Sequence, residues 1–283
     1  MSELFGFAAA AIAALMWGSM FVPMKMLRKS NPFNYHVVTC AGIFFSSTAI
    51  ALLLGASLSL NGFALFSGLI WGVGNVCSIL AIQRMGLAKS MSLILGTSIL
   101  TSFLWGTLFF QEQIGNVLLA AFGIALILIG LPLASVSREK KVKVGAAGVF
   151  CAVLAGLVFG AIFVPAKLGN VPAADFMFPM AVGIAIGGLA VFLAKVRKPS
   201  LPEIRPGLVS GFMWGIGNIF GLYAISFLGI AVGFPLTQLA LLFSVAWGLF
   251  FFREVRKKRT VVKIVIGAVV IILGAFALAF SKL

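Results

Sequence analysis

Two asparagines occupy the same place in two near-copies of one motif: Asn75 closes WGVGN, which starts at Trp71, and Asn218 closes WGIGN, which starts at Trp214. A carboxamide carries two donors and an acceptor oxygen, a set suited to a neutral ligand bearing hydroxyls. The indoles of Trp71 and Trp214 lie one helical turn away on the same face and offer aromatic surface to the C–H face of a ring. Asparagines in membrane helices also bond neighbouring helices; duplication at matched positions favours a shared cavity. A second constellation is Phe234-Pro235-Leu236-Thr237-Gln238, where a helix breaker stands beside two hydrogen-bonding side chains. Its first-half counterpart is the polar stretch Ser92 and Gly96-Thr97-Ser98. Proline removes a backbone bond and frees a carbonyl, so helices interrupted at matching positions are expected in both halves. The third is Pro23-Met24-Lys25, repeated as Pro165-Ala166-Lys167. A lysine at a span end commonly snorkels to the headgroups, but Lys167 falls where cations are scarce, which points to a gate or a ligand contact.

Other chemistry is missing. Glu3, Glu112, Glu139, Asp175, Glu203 and Glu254 all fall at span ends or in loops, leaving no carboxylate at the depth where proton relays work. His36 titrates near neutral pH when unperturbed and reads as a structural interfacial residue. No G-x-x-x-x-G-K motif occurs, and Cys40, Cys77 and Cys151 are too widely spaced for a metal or redox motif. No catalytic residue, metal site or cofactor is expected.

These groups must be held by helices in lipid. The chain is 62% hydrophobic and 10% charged, far from the balance of soluble domains. Uncharged stretches of spanning length run at about 4–24, 35–55, 62–83, 90–110, 116–134, 145–166, 176–194, 206–227, 231–252 and 261–281. The fold class is therefore all-α, with ten transmembrane helices. The motifs recur in order half a chain later: LMWGSMFVPMK from Leu15 returns as LVFGAIFVPAK from Leu157, and LWGTLFFQE from Leu104 as AWGLFFFRE from Ala246. Residues 1–136 and 145–283 thus form two five-helix repeats joined by a charged cytoplasmic linker at 137–144. Five is odd, so the second copy enters the membrane inverted, as in secondary transporters. The fifth and tenth spans, each with two glycines seven apart, read as peripheral helices that pack or pair subunits.

A net charge of +15 would suggest nucleic acid in a soluble protein. With alternating loops assigned to two sides, all 21 basic residues except Lys167 and Lys282 share one side. That is the positive-inside pattern, placing the basic loops in the cytoplasm and both termini outside it. Nucleic acid is not expected as a partner. The segment KVRKPSLPEIR at 195–205 reads as a solvated cytoplasmic loop.

The tandem FVPMK and WGVGN motifs, with FVPAK, WGIGN and GFPLTQ, resemble the glucose/ribose porter family of the drug/metabolite transporter superfamily. The likeness spans both halves. It implies a central cavity from spans one to four and six to nine, peripheral fifth and tenth helices, and carbohydrate uptake. The motif residues carried over are Trp17, Pro23, Lys25, Trp71, Asn75, Pro165, Lys167, Trp214, Asn218 and Gln238. Without the two prolines, and with Thr97 and Thr237 added from the span polarity, these make the candidate substrate contacts. The resulting expectation is a plasma-membrane carrier of neutral monosaccharides working by alternating access, as a uniporter or a proton symporter. Its partners would be a sugar, membrane lipid and a second copy docked through the fifth and tenth helices. An exporter of drugs, amino acids or nucleotide sugars on the same scaffold is the alternative, and a non-transporting membrane scaffold a further one.

Overall fold

A computed structural model describes residues 2–27, 29–135, 145–196 and 201–281. The expected linker at 137–144 lies outside the described residues, as do Arg28, Arg197, Lys198 and Lys282. The described residues are helical, with no strand among them. Ten helices are long and apolar enough to span a bilayer: Leu4–Met26, Pro32–Leu53, Gly62–Met85, Leu87–Phe109, Val117–Ala134, Ala146–Leu168, Ala173–Lys195, Leu201–Leu228, Val232–Phe251 and Lys258–Phe280. The chain is a multi-pass membrane protein.

Local chemistry sets the ends. Asn31 and Asn61 cap the second and third spans, their side-chain oxygens accepting from Phe33 N at 2.9 Å and Phe63 N at 3.0 Å. The fourth span starts after Gly86 (φ 86°) and the ninth after Gly229 (φ 78°), matched turns in a backbone region that glycine enters without a Cβ clash. The eighth helix starts at Leu201, earlier than expected, so 201–205 is helix and not a solvated loop. The reason is Glu203, which is buried: its carboxylate accepts from Asn31 N at 2.5 Å and from the Asn34 amide, tying the eighth span to the second.

The repeated FVP motifs break their helices. Ser2–Ser19 gives way to Val22–Met26, and Ala146–Ala161 to Val164–Leu168, with Phe21 and Phe163 in near-identical backbone conformations. Pro23 and Pro165 have no N–H to donate four residues back. Carbonyls at the first break find partners on other spans: Gly18 O accepts from Ser244 Oγ at 3.0 Å, and Met20 O accepts from the Ser210 hydroxyl. The ninth span is broken too, into Ile230–Thr237 and Ala240–Ala246. Its fourth-span counterpart is not: Leu87–Leu104 is one continuous helix. The expected interruption there fails because Ser92 stands where the second half has Pro235; its hydroxyl bonds back to Ala88 O at 2.8 Å and leaves the backbone ladder intact.

The main interfaces run between the two sequence halves. The first span packs on the eighth and ninth, the sixth on the third and fourth, the second on the seventh and eighth, and the third on the seventh. The fifth and tenth lie along each other. Their glycines meet inside this seam: a Cβ on Gly123 would stand 2.8 Å from Gly274 O, and one on Gly274 would stand 2.7 Å from Gly123 O. Those glycines serve an intrachain contact. The third and seventh spans approach as closely, since a Cβ on Gly68 would lie 2.1 Å from Met180 O and one on Gly183 2.1 Å from Leu65 O.

Gly68→Ala must push two backbones apart and is expected to cost about 2 kcal/mol or more. Gly62→Ala, where a Cβ meets nothing within 4 Å, is expected to be neutral. Thermal unfolding in detergent followed by size exclusion reads the difference; equal midpoints for the two variants would contradict the packing.

Candidate functional site

The first break sets Trp17, Met20 and Phe21 against an internal cavity, the break in the sixth span adds Phe159 and Ile162, and the ninth adds Phe234 and Gln238. Trp71, Trp214, Met91 and Leu95 complete the wall. Except for Phe21, these residues pair off between the repeats: Trp17 with Phe159, Met20 with Ile162, Trp71 with Trp214, Met91 with Phe234, Leu95 with Gln238. The chamber therefore lies where equivalent positions of the two copies converge. Its volume is about 50 Å³, room for a few water molecules and no larger guest.

The lining is aromatic. Trp71 and Trp214 meet edge to face at 5.0 Å, Trp17 stacks on Phe163 at 6.1 Å, and Phe163 meets Phe234 at 5.9 Å. Polar groups are few and specific. Gln238 sits at the break of the ninth span, its Oε1 accepting from Ser98 Oγ at 3.1 Å and its Nε2 donating to Thr237 Oγ1 at 2.8 Å. Leu95 occupies the matching position in the other repeat, so the chamber is polar on one side. Trp17 Nε1 is buried with no hydrogen-bond partner. The Trp17 N–H edge faces the backbone of the eighth helix at Gly217, so an aromatic box with one tethered amide is what remains to stack a ring and bond a hydroxyl.

Of the residues expected at the site, Trp17, Trp71, Trp214 and Gln238 line this chamber. Asn75 and Asn218 do not, although both are fully buried. Asn75 Nδ2 turns to His36 Nδ1 on the second span at 2.9 Å, and His36 lies against the Trp71 ring at 6.3 Å between centroids. Asn218 Nδ2 turns to the Met177 sulfur on the seventh span at 3.2 Å. In each amide the Oδ1 is left without a partner, so the two copies hold twin unsatisfied acceptors one turn from the chamber tryptophans. Thr97 lies in the seam with the sixth span, against Gly156, and not in the chamber. Thr237 supports Gln238 from behind, its own hydroxyl donating to Phe234 O at 2.7 Å.

Lys25 and Lys167 stand away from the chamber, each paired with an acid of the opposite repeat. Lys25 Nζ lies 2.9 Å from Glu254, and Lys167 is bonded to Glu112. Sequence reasoning missed both acids as site residues; the signal was there in QE at 111–112 and RE at 253–254, equivalent ends of a repeated motif.

Comparison with known proteins agrees with this architecture. A family profile described as "Sugar transport protein" matches residues 9–281. The chain belongs to that family. It is a transporter and not an enzyme, in a multi-pass plasma-membrane setting. It is 29% identical to the "Glucose uptake protein GlcU" of Bacillus subtilis (strain 168), covering 96% of this chain and 97% of that protein. It is 26% identical to the "Probable glucose uptake protein GlcU" of Priestia megaterium, covering 96% and 98%. A protein of known crystal structure shares the fold, with a TM-score of 0.65 at 17% identity over 98% of this chain and 95% of that one.

A buried acceptor without a partner adds nothing to stability. Asn218→Leu is expected to leave the unfolding midpoint unchanged or raised while transport falls at least tenfold. Asn75→Leu, which strips His36 of its donor, is expected to cost about 1 kcal/mol in stability as well. Thermal unfolding paired with uptake assays checks both; unchanged transport in Asn218→Leu would make that amide purely structural.

Proposed function

We propose that this protein carries neutral monosaccharides of the glucose or ribose type across the plasma membrane by alternating access. The observation that carries the reading is the aromatic chamber built from matched positions of both repeats, with Gln238 presented at a helix break. Trp71 and Trp214 would stack the sugar ring, and Gln238, with Asn75 and Asn218 after a rotation of their amides, would take its hydroxyls. The names of the relatives, which concern sugar and glucose uptake, support the same class of cargo. The repeats are inverted in this proposal, with the basic loops in the cytoplasm and both termini outside it. Coupling is left between uniport and proton symport, since the described chamber lining contains no carboxylate. Two copies would meet, if they associate, through the outward faces of the fifth and tenth spans.

A second reading, export of a cationic compound, is favoured by one observation: a box of Trp17, Trp71 and Trp214 also suits a cation over aromatic faces. Nucleotide sugars fit less well, because their phosphates require cations and the described chamber lining holds none.

The test is uptake of a panel of radiolabelled monosaccharides into proteoliposomes, with and without a pH gradient, beside export of a cationic dye. Saturable uptake of at least one sugar, suppressed by unlabelled competitor and lost in Gln238→Ala, is the expected result. Acceleration by an inward proton gradient would select symport. Dye export with no sugar uptake would overturn the proposal in favour of the second reading.

A further inference from the structure

The two lysine pairs form one device built twice. Phe110-Gln111-Glu112 and Phe252-Arg253-Glu254 are equivalent stretches, and in both the middle residue has a positive φ, 51° at Gln111 and 49° at Arg253. That kink turns the flanking Phe and Glu onto the lysine of the opposite repeat: Lys25 lies 5.8 Å from the Phe252 ring centre and Lys167 4.4 Å from that of Phe110. The acids are well shielded, 12% exposed at Glu254 and 13% at Glu112, against 27% and 36% for the lysines. Glu254 also accepts from Leu87 N at 2.8 Å and Ala88 N at 3.1 Å, at the positive end of the fourth helix.

The two pairs stand at opposite ends of that same membrane-length helix, Leu87–Phe109: Glu254 binds its first residues, and Glu112 follows its last. Beside each pair lies a vestibule. One, of about 610 Å³, is bounded by Lys25, Ile82, Gln83, Gly86 and Glu254. The other, of about 300 Å³, is bounded by the matching Lys167, Ile225, Ser226 and Gly229. The aromatic chamber is built from the membrane-embedded stretches of the same spans, and both pairs are closed.

We infer that Lys25–Glu254 and Lys167–Glu112 are the two gates of the transport path, and that Glu112 and Glu254 are functional residues of transport. Each pair joins the tip of a broken helix in one repeat to the end of a span in the other, so opening a vestibule toward the chamber must pull one of the pairs apart. A carrier that opened both at once would leak; the pairs break in turn, the intact one sealing its side. This rests on the alternating-access reading but not on the identity of the cargo.

The test places a reporter cysteine at Met91 in a chain whose own Cys40, Cys77 and Cys151 are replaced by alanine. A membrane-impermeant thiol reagent is then applied from either face of sided vesicles. Breaking a partly shielded pair is expected to shift the balance about fivefold. Glu254→Gln should raise labelling from the Arg84 face and lower it from the Asn170 face; Glu112→Gln should do the reverse. Lys25→Gln, which leaves the cap on Leu87 and Ala88 intact, should match Glu254→Gln. Changes in the same direction for both acid variants, or none in folded protein, would overturn the gates. Opposite shifts in a chain that takes up no sugar would keep the gates and remove the sugar.

Discussion

Hydrocarbon offers no water to a broken backbone, and that constraint governs this molecule. Each interrupted helix exposes carbonyls that other groups of the protein must meet. Gly18 and Met20 are met by Ser244 and Ser210 from the ninth and eighth spans, and Phe234 by Thr237. Breaks can therefore occur only where helices from both repeats crowd together, which is also where a chamber can form. The proline motifs, the serines that answer them and the tryptophans around them are one arrangement, since none is tolerable in lipid without the others.

Interleaving follows from the same constraint. The first helix of each repeat lies against spans of the other, and the close backbone approaches at Gly68 with Gly183 and Gly123 with Gly274 also cross between repeats. A movement that opens one end must slide these seams together, so few joints are available. The FVP breaks would serve as its hinge points in the proposed alternating access, since short helices of five residues there carry Lys25 and Lys167 to their acids. A chamber that is aromatic on both sides but polar only at Gln238 would give the proposed sugar one preferred orientation within an otherwise matched box.

Much of this was legible in the residues. The ten spans fall within a few positions of their expected limits, because uncharged runs of that length have one stable solution in a bilayer. Trp71, Trp214 and Gln238, singled out from duplication and from the proline beside them, line the chamber. Where the structure departs from the reading, the cause is three-dimensional. Asn75 and Asn218 share a face with their tryptophans by spacing, yet a long amide reaches sideways to whatever the adjacent helix presents, here His36 and Met177. Glu203 looked solvated among prolines and lysines, but Asn31 and Asn34 give its carboxylate donors. The cross-repeat ion pairs required knowing that the end of the first span meets the end of the ninth, which no spacing within one repeat reveals. The fourth span stayed whole because a serine is not a proline, although its surroundings are otherwise a copy of the ninth.

The central claim is that a sugar lodges among residues the two repeats contribute in matched pairs. It is tested most directly by an experimentally determined structure of the protein in the presence of whichever monosaccharide saturates its uptake. The account requires ligand density between Trp71 and Trp214, with a hydroxyl within hydrogen-bonding distance of Gln238 and the chamber enlarged around it. Density elsewhere, with the chamber still closed at its present size, would contradict it.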